Sequence, residues 1–252
     1  MVRAVLFDLD DTLFDHRACS RDALGAVQSC DAGLAAIPLA RLEVLHARVL
    51  EQLHVEVMMG RMPLEHARRE RFRRLLVETG ATAPEAVIAR TAATYRDRYR
   101  DARRAVQGAA ALLAAVSARV KVAIVSNNLF DEQMEKLEVC GLRQFVDALI
   151  VSERVGVSKP DPAIFAAAIE QLQCGPDEAV MVGDSFAADI AGARAARIHP
   201  VWFNPLALPL PDGETPVAQL TALEPVQAAL AVILRGSAGD DSVEMLGGDA
   251  EV

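Results

Sequence analysis

Two hydrophobic rhythms divide the chain. Val2 to Phe7 is a largely apolar, β-branched and aromatic run closed by Asp8, the pattern of a buried strand. From Asp15 to about Asp101 apolar positions recur instead every three or four residues, as at Leu42, Leu45, Val49, Leu53 and Val57. Pro63 and Pro84 stand where helices begin. This stretch predicts about four helices and no strand.

After Gln107 helical and strand patterns alternate. Helices are expected near Gly108–Arg119, Asp131–Cys140, Ala163–Gln173 and Ala187–Arg197. Strands are expected at Val120–Val125, Phe145–Val151, Ala179–Val182 and His199–Phe203. Such alternation specifies a parallel sheet covered on both faces. The expected fold class is therefore α/β, a doubly wound parallel sheet interrupted after its first strand by an all-helical insertion. The boundaries are residues 1–14 and 106–235 for the core and 15–105 for the insertion. Residues 236–252 hold five acidic and no basic residues, and read as a solvated, disordered tail without an assigned role.

Composition narrows the classes. With 252 residues, 52% apolar and 24% charged, the chain is long enough for one substantial core and a smaller unit. The longest apolar runs, such as Ala109–Val116, have eight residues, well short of the roughly 18 to 20 of a membrane-spanning helix. No membrane partner is expected, and with no secretory or transit pattern at the start a cytoplasmic location is. The four cysteines form no CxxC pair, which argues against a zinc knuckle or a disulfide framework. A net charge of −9 argues against general nucleic-acid binding. That charge is uneven: residues 15–105 carry 16 Arg, no Lys and 12 acidic residues, so the negative excess belongs to the remainder.

In a parallel α/β sheet ligands bind at the carboxyl edge, where loops leaving the strands converge. Here the first strand runs into Asp8-Leu9-Asp10-Asp11-Thr12. A second runs into Ser126-Asn127-Asn128, and a later one into Gly183-Asp184-Ser185, with Asp189 five residues beyond Asp184. Lys159, in Ser158-Lys159-Pro160-Asp161-Pro162, follows a third strand and can reach the same edge. Carboxylates so grouped raise one another's pKa unless a cation separates them. A hard, oxygen-seeking ion such as Mg²⁺ is the natural resolution, and it leaves a position for a phosphate oxygen. Lys159 would meet additional anionic charge, and Ser126 with the backbone N–H groups after it could hold phosphoryl oxygens.

Asp8-x-Asp10-x-Thr12, Ser126, Lys159 in its Ser-Lys-Pro-Asp-Pro run, and Gly183-Asp184 with Asp189 resemble, in order and in strand-end placement, the four motifs of the haloacid-dehalogenase superfamily. The resemblance spans essentially residues 1–235, and the helical insertion is similar to the C1-type cap of subfamily I. It implies a Rossmann-like core with a helical cap and a Mg²⁺-dependent phosphatase acting on a small phosphate ester. In that scheme Asp8 is the nucleophile that forms an aspartyl-phosphate. Asp10 is the general acid and base. Ser126, Asn127 and Lys159 bind phosphate. Asp8, the Asp10 backbone carbonyl and Asp184 hold the metal, Asp189 supports it, and Thr12 braces the first loop. Asp11 and Asn128 stand where the superfamily often has glycine; asparagine tolerates a left-handed turn better than most residues.

Other features carry less. His16, His46, His54, His66 and His199 show no HExxH or related spacing, so zinc chemistry is unsupported, although His16 lies just after the first motif. Arg68, Arg69, Arg71, Arg73 and Arg74 read as a solvated helix face paired with Glu65, Glu70 and Glu78, with one or two left to face the cleft. Met58, Met59 and Met62 read as packing residues, and Gly60 as a turn between cap helices. A phosphonatase would need a cap lysine, but Lys121, Lys136 and Lys159 all lie outside the cap. A dehalogenase attacks carbon and has no need of a second carboxylate at Asp10. A phosphomutase, and a phospho-ligand-binding protein without turnover, are the remaining alternatives. A monomer and a homodimer fit the sequence equally.

Overall fold

The computed structural model describes residues 1–30, 32–78, 80 and 83–235. Strand β1 (Ala4–Phe7) is followed by α1 (His16–Cys30), α2 (Ala32–Ala35), α3 (Leu39–Met58), α4 (Leu64–Glu78) and α5 (Glu85–Asp101). Next come α6 (Ala109–Ser117), β2 (Lys121–Ser126), α7 (Phe130–Val139), β3 (Ala148–Val151), α8 (Ser152–Val155) and α9 (Pro162–Leu172). The chain closes with β4 (Ala179–Gly183), a π-helical turn (Phe186–Ile190) running into α10 (Ala191–Ala195), β5 (His199–Phe203), β6 (Ala218–Leu220) and α11 (Val226–Arg235).

The six strands form one parallel sheet in the order β3-β2-β1-β4-β5-β6. The strand pattern has a simple physical basis. Val5, Phe7, Val122, Ile124, Val180 and Val182 point to one face, against Leu112, Leu113, Leu137, Leu230 and Ile233 of α6, α7 and α11. Ala4, Leu6, Ala123, Val125, Ala179 and Met181 point to the other, against Ile164, Phe165, Ala168 and Ala193 of α9 and α10. Both faces are covered, so β1, β3 and β4 are continuously apolar. Each large side chain so buried contributes about 1.5–3 kcal/mol.

The chain winds outward from β1 to β2 and β3, then returns to the other side of β1 for β4, β5 and β6. The reversal places the ends of β1, β2 and β4 side by side. Register pairs Phe7 with both Ile124 and Val182, so Asp8, Ser126 and Asp184 emerge along one edge. Helices α1 to α5 form the cap, with a core of their own built from Leu24, Val27, Leu42, Phe72, Leu75, Ile88 and Tyr95.

Several expectations need correction. The insertion has five helical segments, because a single turn, α2, separates α1 from α3. The helix expected at Ala187–Arg197 opens as the π turn. Residues 143–145 form a 3₁₀ turn, so β3 is shorter than the apolar run. β6 and α11 have no counterpart among the expected elements, although Pro225 just before Val226 is a helix-start signal. Met59 is exposed, not packed, while Gly60 does form the α3–α4 turn with a left-handed backbone, φ +67°. Among the described residues no helix is long and apolar enough to cross a membrane. The acidic segment 236–252 and the Cys30 side chain lie outside the described residues.

Candidate active site

The loop after β1 is wound on one carbonyl. Leu9 O accepts from the backbone N–H groups of Thr12, Leu13 and Phe14 at 3.3, 2.9 and 2.8 Å. The bend places Asp11 in the left-handed region, φ +62°, a conformation that aspartate tolerates when its side chain is held locally. It is held here: Asp11 Oδ1 accepts from Arg17 N at 2.7 Å, and Arg17 Nε lies 3.1 Å from its Oδ2. Asn128 is not among the left-handed residues, so its turn has no need of glycine.

Lys159 is the hub on the β1–β4 side. Its Nζ, buried, reaches Asp8 Oδ1 at 2.6 Å, Asp189 Oδ1 at 2.7 Å and Val125 O at 2.7 Å. Its backbone is clamped by the Asn127 side chain, whose Nδ2 donates to Lys159 O at 2.9 Å and whose Oδ1 accepts from Lys159 N at 2.6 Å. The Asn127 amide is thereby committed to positioning Lys159. Asp189 is 1% exposed and accepts from Ser185 N at 3.0 Å through Oδ2. Gly183 permits that approach, since a Cβ there would meet Asp189 Oδ2 at 2.3 Å. Thr12 Oγ1 accepts from Asp184 N at 3.1 Å, tying the first loop to the β4 loop.

Asp8, Asp184 and Asp189 each bring a carboxylate oxygen to within 4.8 Å of the others. Burial raises the Asp8 carboxyl well above its usual range; Lys159 opposes this, and Asp189 and Asp184 add to it. Asp184 is pushed up to about 7 by burial and by Asp189 and Asp11, against the pull of Arg17 and Lys159. Burial alone would lower Lys159, but Asp189 and Asp8 outweigh it and hold the ammonium above its ordinary range. The cluster has more carboxylates than nearby cations can neutralise, and an all-oxygen donor set. A hard divalent ion such as Mg²⁺ fits it.

Asp10 turns away from this cluster toward the cap. Lys136 Nζ lies 2.6 Å from its Oδ1 and 2.8 Å from its Oδ2, and Gln133 Nε2 donates to Oδ2 at 2.9 Å. The same Gln133 amide donates to Ser126 Oγ at 2.5 Å. Burial would raise the Asp10 carboxyl, but Lys136, His16 and the hydrogen bonds outweigh it and hold Asp10 well below the usual carboxylate range. Beyond Asp10 opens a cavity of about 360 Å³ between cap and core. His54 on α3 lies with Nε2 2.7 Å from Asn127 O, and His16 Nδ1 lies 2.7 Å from the Tyr99 hydroxyl.

Of the expected residues, Asp8, Lys159, Asp184 and Asp189 meet directly, with Thr12 and Asn127 as their braces. Asp10 and Ser126 meet through Gln133. Gln133, Lys136 and Arg17 were missed. A signal existed for the first two: on α7, which follows β2, a spacing of three residues puts Gln133 and Lys136 on one helix face.

This geometry joins sequence comparison on one family. The haloacid dehalogenase-like hydrolase family matches residues 2–197. The chain belongs to that family. The hydrolase is 34% identical over 217 residues, 81% of its length and 86% of the relative's, to the ribulose-1,5-bisphosphate 5-phosphatase of Halopiger xanaduensis. Its fold is similar to that of the magnesium-bound putative HAD-hydrolase YfnB of Bacillus subtilis, with a TM-score of 0.70 and 27% identity over 91% of this chain and 98% of that one. It is also similar in fold alone to the L-2-haloacid dehalogenase of Xanthobacter autotrophicus, with a TM-score of 0.69 and 22% identity over 90% or more of both chains (92% and 99%).

Proposed function

We propose that the hydrolase is a Mg²⁺-dependent phosphatase that cleaves a small phosphate monoester through a phosphorylated Asp8. The observation that carries this reading is the pairing of two differently held carboxylates: Asp8 beside Lys159 in the acidic cluster, and Asp10 facing the cap cavity. A dehalogenase attacking carbon needs the first and has no use for the second. The phosphatase name of the Halopiger relative supports the same side.

In the first step an Asp8 oxygen bonds to phosphorus and the bond from phosphorus to the leaving oxygen breaks, with Asp10 giving that oxygen a proton. In the second step Asp10 takes a proton from water, the resulting hydroxide attacks phosphorus, and Asp8 departs as carboxylate. At rest Lys136 keeps Asp10 ionised, the state required by the second step. An arriving phosphate dianion beside Asp10 raises its proton affinity toward the state required by the first. Lys159, held by Asn127, stabilises the transferring oxygens. The Asp8 and Asp184 carboxylates and the Asp10 backbone carbonyl, with Asp189 in support, would hold Mg²⁺, which would supply positive charge to offset that of the phosphoryl group. The unpaired thiols Cys19, Cys140 and Cys174 support placing the enzyme in the cytoplasm.

The test is phosphate release from a panel of phosphorylated metabolites by the parent and by Asp8→Asn. The mutant should keep its circular dichroism spectrum, because Lys159 retains Asp189 and Val125 O, and should lose at least about a thousandfold in turnover. Equal release by both proteins would overturn the covalent route. Isomerised product that depends on a bisphosphate activator would assign a phosphomutase. Binding without release would assign a ligand-binding protein.

A further inference from the structure

The cavity beyond Asp10 is ringed by arginines, and all but one are already paired with a carboxylate. Arg68 pairs with Glu65 and Glu132, Arg96 with Glu65, and Arg100 and Arg103 with Glu135. Arg71, on α4, has no carboxylate within ion-pair distance among the described residues. Its Nη1 lies 3.5 Å from His46 Nε2, its guanidinium carbon lies 5.9 Å from the centroid of the Tyr95 ring, and its Nε is sealed from solvent without a hydrogen-bond partner.

A half-buried guanidinium without a counter-ion, its Nε sealed from water, is costly, and an aromatic face offsets only part of that cost. His46 cannot supply the missing charge: it is buried, and burial together with Arg71 and His16 keeps it neutral. Lys136, which also lines the cavity, is occupied by Asp10. Leu53, Val57, Leu64 and Ala67 add an apolar stretch to the cavity wall. The one arginine of the cavity wall without a carboxylate partner among the described residues thus sits in the cap, on the side where a leaving group would lie if phosphate were bound at Asp8.

We propose that Arg71 receives a second anionic group on the substrate, so that the enzyme prefers phosphate monoesters whose leaving group ends in a carboxylate or another phosphate. This rests on the phosphatase reading, since it takes the cavity as the leaving-group site. The planar fork of an arginine suits either oxyanion.

Binding can be measured without turnover. Phosphonates of two to six carbons ending in a carboxylate, a second phosphonate or a methyl group are titrated calorimetrically into the full-length protein with Mg²⁺. At one or more lengths an anionic end should tighten binding at least tenfold over the methyl end, and the carboxylate and phosphonate arms report which oxyanion fits. Arg71→Met should abolish the preference and Arg71→Lys should restore part of it. Should Arg71→Met fail to fold, the parent's preference and its reduction in Arg71→Lys decide. Equal affinity for charged and methyl ends at every length, or a preference undiminished in folded Arg71→Met, overturns the proposal. Phosphate release from the matched esters is measured alongside. Arg71-dependent binding with no release from any ester supports the anion site and defeats the phosphatase reading, whereas release without end-group preference does the reverse.

Discussion

The ammonium of Lys136 bridges both carboxylate oxygens of Asp10, at 2.6 and 2.8 Å, while lying 5.1 Å from the centroid of the Phe14 ring. A core helix therefore fixes the side chain that faces the cap, and it does so with a half-buried charge pair, Lys136 being the buried partner. The nucleophile candidate Asp8 is held in the same manner by Lys159. Two neighbouring carboxylates on one short loop are thus kept apart by two lysines from different elements.

Lys136→Met leaves Asp10 with Gln133 as its chief anchor. On the proposed mechanism kcat should fall roughly 10- to 100-fold, because acid–base catalysis depends on a correctly placed group, while KM changes only a few-fold. Steady-state kinetics on the best phosphate ester would check this. An unchanged kcat would show that the bridge has no part in proton transfer.

Removal of divalent metal should abolish phosphate release, and added Mg²⁺ should restore it. Independently of turnover, Mg²⁺ should raise the melting temperature, since an ion that binds the folded acidic cluster stabilises it by mass action. Asp184→Asn should blunt that thermal shift. A melting temperature indifferent to Mg²⁺ in the parent would argue against a cation at Asp8, Asp184 and Asp189.

Gly183→Ala forces a methyl group into Asp189, whose Oδ2, Cγ and Cβ would lie 2.3, 2.4 and 2.6 Å from it. Asp189 is buried and tied to Lys159, so it cannot swing clear. A loss of about 1–3 kcal/mol in denaturant melts is expected, the usual cost of overpacking, together with impaired turnover. Unaltered stability would mean that the β4 loop is softer than its hydrogen bonds imply.

His46 predicts an acid limb in stability. Burial, then Arg71 and His16, hold its folded pKa well below the ordinary value, while the unfolded chain protonates it near 6.5. The unfolded state therefore binds the extra proton. Stability is full above about pH 6.5 and falls by up to about 1.4 kcal/mol per pH unit below it. Unfolding free energies of the parent and His46→Leu between pH 7 and pH 5 should diverge in slope, with the variant the flatter. Parallel curves would mean that His46 takes its proton in the folded protein.

By itself the sequence was enough for the α/β class, the helical insertion and the strand-end motifs. These depend on local periodicity, and the carboxyl edge of a parallel sheet collects whatever polar residues end its strands. Short or irregular elements were less legible: β6 has three residues, and the π turn after Ser185 shares its composition with an ordinary helix. Pairing was decided only in three dimensions. Nothing in the spacing says that Lys159 is shared by Asp8 and Asp189, that Asn127 holds Lys159 instead of pointing freely at the edge, or that Lys136 takes Asp10. Nor does the Arg-rich run of α4 say that Arg73 and Arg74 find Glu70 while Arg71 finds no carboxylate. Periodicity reports which face a residue occupies, whereas the choice of ion-pair partner depends on separations of a few ångströms between elements distant in the chain, and only their packing sets those.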